Sequence, residues 1–352
     1  MTLVLSAQRD RLLMLSDIVI AREGRHDAQV SGLPLTPRPI VVASGNHTLV
    51  GLAQKMVQFD ERRVLLWAGS KVVAGHVCNE FAKAILTDPT ARLLDFLAQS
   101  GLSEGDLSQT SFIYHRLDSD GRLFREAHNA KRSDIDGVDT FFSGTGDFHF
   151  IDDIRPMFDA AELNPDIAFM RNWVHRVAYA MLSEALDGEN LQFAYGGWFE
   201  IALFADGALR KMPYLVKLWE ERDGQVVSGP CISGWYKDAH LCLLRSDVKR
   251  AEADTTNDLT VVRDPLERTK VPDSRSEVAD SYARAQLQIH LIFNARGRWG
   301  IVLKGFDTDD FQFEIARGKL NMRWHQRLRD ELTATLQGPV GGQILRPFSD
   351  SE

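Results

Sequence analysis

The alternation of apolar and polar side chains predicts β-strands at the start of the chain and again near residue 60. Thr2 to Ser6 and Leu12 to Ile20 are β-rich runs that a short polar turn separates. Residues 55–60 alternate in the same way, and Val64 to Trp67 form an apolar run after a charged turn. The pattern therefore predicts two antiparallel hairpins.

A glycine turn follows the second hairpin. Residues 68–70 read Ala-Gly-Ser and interrupt the strand, and apolar residues from Val77 to Ile85 then recur at helical spacing. Where a strand passes through a tight turn into a helix, backbone N–H groups can point at a developing negative charge. The N–H of Gly69 is therefore a candidate donor to an oxyanion.

The pattern in the rest of the chain predicts both helices and strands. Asn164 and Pro165 have the residue types of a helix N-cap and first helical position. The further predictions, in chain order, are a helix over about 148–163, a strand over 191–204, a hairpin of 287–293 and 299–304, a strand over 311–315 and a helix over 321–336.

Composition and charge narrow the class of protein. The 352 residues are 44% hydrophobic and 26% charged, as in an ordinary globular protein. A net charge of −8 argues against nucleic acid as the main partner. Three cysteines are too few for a disulfide scaffold and favour a reducing cytoplasm. Without a signal-peptide pattern or an apolar run of about 20 residues, we expect no membrane association.

Neither a metal nor a cofactor is expected. His115, His128 and His149 do not have metal-ligand spacing. The glycine-rich segment at 143–147 is too short and too common to indicate a phosphate loop.

The second hairpin resembles the catalytic-lysine hairpin of proteasome β subunits, which are N-terminal-nucleophile (Ntn) hydrolases. The matching residues are Lys55–Asp60, then Trp67–Gly69, then the helix that follows. Leu12–Asp17 is similar to the second strand of that family, and the resemblance covers about residues 1–214. The chain after it is not recognised.

The resemblance implies an α+β fold, a four-layer αββα sandwich with a C-terminal α+β extension. We expect a proteasome-like domain over 1–220 with an insertion at 21–48. The extension would span 221–352 and include a charged loop at 247–284.

The resemblance also implies a catalytic site. Thr2 would be the nucleophile, and its own α-amine would be the base once Met1 is removed. Asp17 and Lys55 would tune that amine, Gly69 would stabilise the oxyanion, and Thr145 takes the place of a supporting serine. The chain departs from the family at Gln192 and Tyr195, where an orienting Asp and Ser are usual.

Several functions stay open at this point. The first is a threonine-type peptidase or amidohydrolase that acts on a peptide or small amide; the second is an inactive subunit that serves assembly or an unidentified protein partner. A third is another Ntn amidohydrolase. Family members form rings, so we expect self-association. Taken singly, Asp17 is equally a polar residue near a turn, and Lys55 an exposed strand lysine.

Overall fold

The structure is a computed structural model. It describes residues 2–9, 11–24, 33–35, 47–135, 137–147, 149–153, 165–186, 188–249, 254–266, 285–294, 299–305, 311–316, 319–337 and 343–345. The chain divides into two compact units, Met1–Lys211 with Val262–Lys270, and Met212–Val261 with Val271–Glu352.

Within the described ranges, the first unit contains two sheets, a short strand pair and five α-helices. Its strands are β1 Val4–Gln8, β2 Leu12–Asp17, β3 Val19–Glu23, β4 His47–Leu52, β5 Met56–Asp60, β6 Arg63–Gly69, β7 Thr110–Leu117, β8 Leu123–His128, β9 Lys131–Ile135, β10 Val138–Ser143, β11 Phe199–Ala205 and β12 Ala208–Lys211. Its helices are α1 Lys71–Thr87, α2 Leu93–Gln99, α3 Glu104–Ser108, α4 Pro165–Leu186 and α5 Glu189–Gln192, with a π-helical turn at His149–Asp153.

The two sheets of this unit share an apolar core. The six-stranded sheet has the order β12-β11-β2-β1-β10-β9, and the four-stranded sheet has the order β5-β6-β7-β8. Val4 and Met14 of the first sheet pack in one buried cluster with Leu66 and Ile113 of the second. On the other face of the four-stranded sheet, α1 buries Phe81 in a cluster that includes Trp67, Phe112 and Tyr114. Burial of these side chains is the main force that holds the layers together.

The second unit is dominated by one sheet. From residue 212 onward the elements are β13 Tyr214–Arg222, β14 Gln225–Lys237, β15 His240–Lys249, β16 Asp254–Val262, β17 Leu287–Asn294, β18 Trp299–Gly305, β19 Phe311–Ala316, β20 Lys319–Trp324, α6 Gln326–Gln337 and β21 Gln343–Leu345. The seven-stranded sheet has the order β16-β15-β14-β13-β17-β18-β21. Leu328 and Leu332 of α6 pack in the same buried cluster as Trp219, Trp235 and Ile292 of that sheet.

The predicted four-layer αββα sandwich is wrong. The described part of the chain is mostly β-sheet, 50% strand and 25% helix, with several antiparallel sheets and few helices. Asp88 ends α1, and α2, α3 and α5 have 7, 5 and 4 residues. Among the described helices of the first unit only α1, with 17 residues, and α4, with 22, are long enough to cover a sheet, and two helices do not form two layers. The seven-stranded sheet of the second unit was also not predicted from the sequence.

Several local predictions are confirmed. β1 pairs with β2, β5 with β6, and β17 with β18, all antiparallel. α1 follows Gly69 and Ser70, and the Ser70 side chain caps it. α4 begins at Pro165. The strand expected over 311–315 is also present, as β19.

Other local predictions need correction. The strand expected from residue 191 begins only at Phe199, because α5 and the glycines at 196 and 197 precede it. The helix expected over 321–336 begins at Gln326, after β20. β16 lies within the range expected to be a charged loop. Most of the helix expected over 148–163, and most of the insertion at 21–48, lies outside the described residues.

We expect buried His115 to make the first unit sensitive to acid. His115 is 0% exposed, and neither ring nitrogen has a hydrogen-bond partner among the described residues. Burial lowers its pKa to about 3. The unfolded chain therefore binds more protons between about pH 3 and 6.5, so the free energy of unfolding falls as the pH falls through that window, by up to about 1.4 kcal/mol per pH unit.

The variant His115→Leu should lose less stability than the wild type on acidification. Between pH 6.5 and 5 we expect its loss to be smaller by about 1.5 kcal/mol, measured by urea denaturation. The control is His76→Leu on the exposed side of α1. Equal acid sensitivity of the wild type and His115→Leu would contradict this explanation.

Candidate functional site

Three of the residues expected at the site meet at one carboxylate oxygen. Thr2 precedes β1, Asp17 ends β2 and Lys55 precedes β5. Oδ1 of Asp17 accepts hydrogen bonds from Thr2 Oγ1 at 2.8 Å and from Lys55 Nζ at 2.6 Å. Thr2 Oγ1 and Lys55 Nζ therefore lie within two hydrogen-bond lengths of each other.

Backbone groups complete the shell of the Asp17 carboxylate. Oδ1 also accepts from the Leu3 N–H at 2.8 Å. Oδ2 accepts from the N–H groups of Val19 at 3.2 Å and Gly196 at 3.1 Å. Five donors thus fix the carboxylate, which is 0% exposed. A buried carboxylate needs such partners, because its desolvation is otherwise costly.

The ammonium of Lys55 is held as tightly. Its side chain is 0% exposed, and Nζ donates to the Val19 carbonyl as well as to Asp17. Burial lowers the pKa of Lys55, while the charges of Asp17 and Glu200 oppose that shift. The interpretation of Lys55 as an exposed strand lysine is therefore wrong, whereas Asp17 does lie at the end of β2, and its carboxylate is buried.

A second buried carboxylate lies beside the first. Glu200 of β11 is paired in register with Ser16, next to Asp17 on β2. Its Oε2 accepts from Ser16 Oγ at 3.2 Å and from the Lys55 N–H at 3.1 Å, and Oε1 accepts from Lys211 Nζ at 2.7 Å. Glu200 therefore fixes the backbone of Lys55, whose side chain reaches Asp17.

Two glycines allow the chain to approach this centre closely. Gly144 has φ +120°, and a Cβ there would be 1.8 Å from the Thr2 carbonyl oxygen. Gly196 has φ +129°, and a Cβ there would be 2.3 Å from Glu184 Oε2. At Gly144 the clash would be with the backbone, and at both positions the positive φ favours glycine.

Thr145 and Gly69 are placed differently from Thr2, Asp17 and Lys55. Thr145 is exposed and its hydroxyl donates to the Phe193 carbonyl at 3.3 Å. Gly69 pairs with Thr110 at the end of β6. Among the contacts of the described residues, none joins either of them to Asp17 or Lys55. Gly69 nevertheless lies two residues beyond Trp67, whose N–H donates to the Lys55 carbonyl at 2.9 Å.

Tyr195 replaces the expected orienting serine with an aromatic contact. Its hydroxyl lies 2.6 Å from His149 Nδ1, and the His149 ring stacks on Phe193 with centroids 4.3 Å apart. The side chain of Gln192 lies outside the described residues. The structure therefore fills this side of the site with ring packing.

Sequence reasoning missed Glu200, Lys211 and the role of Gly196. A signal for Glu200 was present, because an acidic residue within the apolar run 198–203 predicts a buried and paired carboxylate. Nothing local indicates Lys211 as its partner. No group of three or more potential metal ligands occurs within the described ranges. None of the helices in that part of the chain has the length and apolar character of a membrane span.

No protein-family model matches this chain, and no curated protein matches it either.

Removal of the Lys55 charge should strongly destabilise the first unit. Lys55→Met leaves the Asp17 carboxylate buried without its cation, and we expect the free energy of unfolding to fall by about 3–5 kcal/mol. Urea denaturation followed by circular dichroism measures this loss.

The matched control is Lys83→Met. Lys83 forms an equally short ion pair with Glu80, 2.6 Å, but its side chain is 70% exposed. Such a surface pair contributes little to stability, because solvent screens it. If both variants lost the same stability, the Asp17–Lys55 pair would not have the importance assigned to it.

Proposed function

We propose that this protein is an amide hydrolase whose nucleophile is the Thr2 hydroxyl, freed with its α-amine when residue 1 is removed. The observation that supports the proposal is the shared contact of Thr2 Oγ1 and Lys55 Nζ with Asp17 Oδ1, at 2.8 and 2.6 Å. A hydroxyl next to a buried ammonium and a fixed carboxylate is a suitable setting for nucleophilic catalysis.

The reaction needs no group beyond the chain, the substrate and water. Thr2 Oγ1 attacks the amide carbonyl carbon while the α-amine of Thr2 takes the hydroxyl proton. The C–N bond then breaks, and the leaving amine takes that proton, which leaves an ester on Thr2. Water, with the α-amine again as base, hydrolyses the ester and restores the hydroxyl.

Lys55 would make the α-amine a better base. A free α-amine has a pKa of about 7.7–8.0, so that roughly one-seventh is unprotonated at pH 7. The Lys55 ammonium disfavours a second positive charge nearby. A decrease of about one pKa unit, equivalent to ~1.36 kcal/mol, would leave more than half of the amine unprotonated. Asp17 keeps Lys55 in place.

The oxyanion of the intermediate would need a donor, and the Gly69 N–H remains our candidate. The Trp67 N–H is bonded to the Lys55 carbonyl, and two residues of a strand extend about 7 Å. Gly69, two residues after Trp67, is therefore near the Lys55 backbone. Its exposed position leaves room for a substrate carbonyl. Thr145 bonds Phe193, so we give it only a role in shaping the loop next to Thr2.

One observation favours a second candidate, a protein without catalysis that acts through protein interaction. Thr2 is only 2% exposed, and its hydroxyl is already paired with Asp17. The same contacts can serve as a buried polar centre that only fixes the fold. If residue 1 is retained, the Thr2 nitrogen is part of an amide bond and cannot act as the general base.

The test is covalent labelling of the full chain with a β-lactone, read by intact mass and peptide mapping. We expect loss of residue 1, one adduct on the Thr2 peptide, no adduct in Thr2→Ala, and a retained adduct in Thr2→Ser. The control Thr48→Ala removes another buried threonine, which bonds the Gly24 carbonyl, and should label normally. A chain that keeps residue 1 and takes up no label would exclude the hydrolase and favour the interaction protein.

A further inference from the structure

The first unit contains a cavity on the face of β7 and β8 near the start of α2. Its volume is about 370 Å³, within the range of sites that bind small molecules. It is lined by Arg92, Tyr114, Arg116, Phe124, Arg125 and Glu126. None of these residues belongs to the Asp17–Lys55 centre.

The hydroxyl of Tyr114 has no partner at this cavity. Tyr114 is 2% exposed, and its hydroxyl forms no hydrogen bond within the part of the chain that the structure describes. Burial raises the pKa of this phenol, so the group remains a hydrogen-bond donor. An unsatisfied buried hydroxyl destabilises a fold unless something binds it.

The guanidinium of Arg116, which also lines the cavity, has N–H donors that no hydrogen bond among the described residues uses. It donates to the Thr90 carbonyl at 2.5 Å and lies 4.9 Å from the centre of the Phe124 ring. Among the described residues no carboxylate lies within 4 Å of it. Arginine has five N–H donors in a planar fork that matches a carboxylate or phosphate.

The acidic groups around the cavity are already engaged. Glu126 accepts from Arg92 Nε at 2.8 Å and from the Leu93 N–H at 2.7 Å. Asp60 is paired with Arg63, and Asp88 accepts from Thr90. Arg125 is committed to Asp139 at 3.1 Å. Of the three arginines that line the cavity, Arg92 and Arg125 have carboxylate partners, and Arg116 has none among the described residues.

We propose that this cavity binds the oxyanion group of a small organic acid or phosphate monoester. The Arg116 fork and the Tyr114 hydroxyl bind the oxyanion, and the Phe124 ring contacts the body of the ligand. The site is separate from the proposed hydrolase centre, and the proposal does not depend on that activity.

The experiment titrates the full chain with benzoate, phenyl phosphate and inorganic phosphate, followed by calorimetry and by NMR shifts of the β7 and β8 amides. We expect saturable binding of at least one probe that weakens with added salt. Arg116→Gln and Tyr114→Phe should each weaken it about tenfold or more, the loss of one charged or neutral donor. The control Arg222→Gln removes an arginine of the second unit that is paired with Glu220 and does not line the cavity.

Tyr114→Phe separates binding from folding. It removes an unpaired hydroxyl, so the ligand-free variant should be at least as stable to urea as the wild type while it binds the probe more weakly. Absence of saturable binding up to 10 mM of all three probes, or binding that both variants leave unchanged, would overturn the proposal.

Discussion

The buried ion pair between Lys55 and Asp17 is the interaction on which the arrangement of the first unit depends. Both side chains are 0% exposed and their charged atoms are 2.6 Å apart. Two ions removed from water are tolerated only with good mutual geometry and additional hydrogen bonds. Asp17 has those bonds from Thr2, Leu3, Val19 and Gly196, so the pair fixes the start of β1, the end of β2 and the glycine turn before β11.

The second carboxylate extends this constraint to other strands. Glu200 binds the backbone N–H groups of Lys55 and Met56 and the ammonium of Lys211. The six-stranded and four-stranded sheets are therefore tied by polar contacts as well as by the apolar core between them. Such a network specifies one arrangement, because a shift of one strand would leave a buried charge without a partner. The same rigidity would preorganise Thr2 if it acts as a nucleophile.

The cavity at Tyr114 contrasts with this centre. At Asp17 the polar groups satisfy one another, whereas Tyr114 and Arg116 retain donors that the described residues do not use. A fully paired site is stable without a ligand, and a site with unused donors gains stability when an acceptor binds. The Asp17–Lys55 centre therefore suits the positioning of neighbouring groups, and the cavity at Tyr114 suits the binding of a ligand.

The sequence by itself determined the local elements: the hairpins β1–β2 and β5–β6, α1 with its Ser70 cap, and the start of α4 at Pro165. These depend on alternation and capping, which act over a few residues. The family resemblance selected Thr2, Asp17 and Lys55, but only the tertiary structure brings them to one oxygen atom and excludes the αββα architecture. Lys55 is 38 residues from Asp17, and Glu200 is 184 from Ser16. Contacts at such separations are decided by how the sheets pack, because no local pattern specifies which distant side chains will be buried together. The same packing leaves the Tyr114 hydroxyl without a hydrogen-bond partner among the described residues.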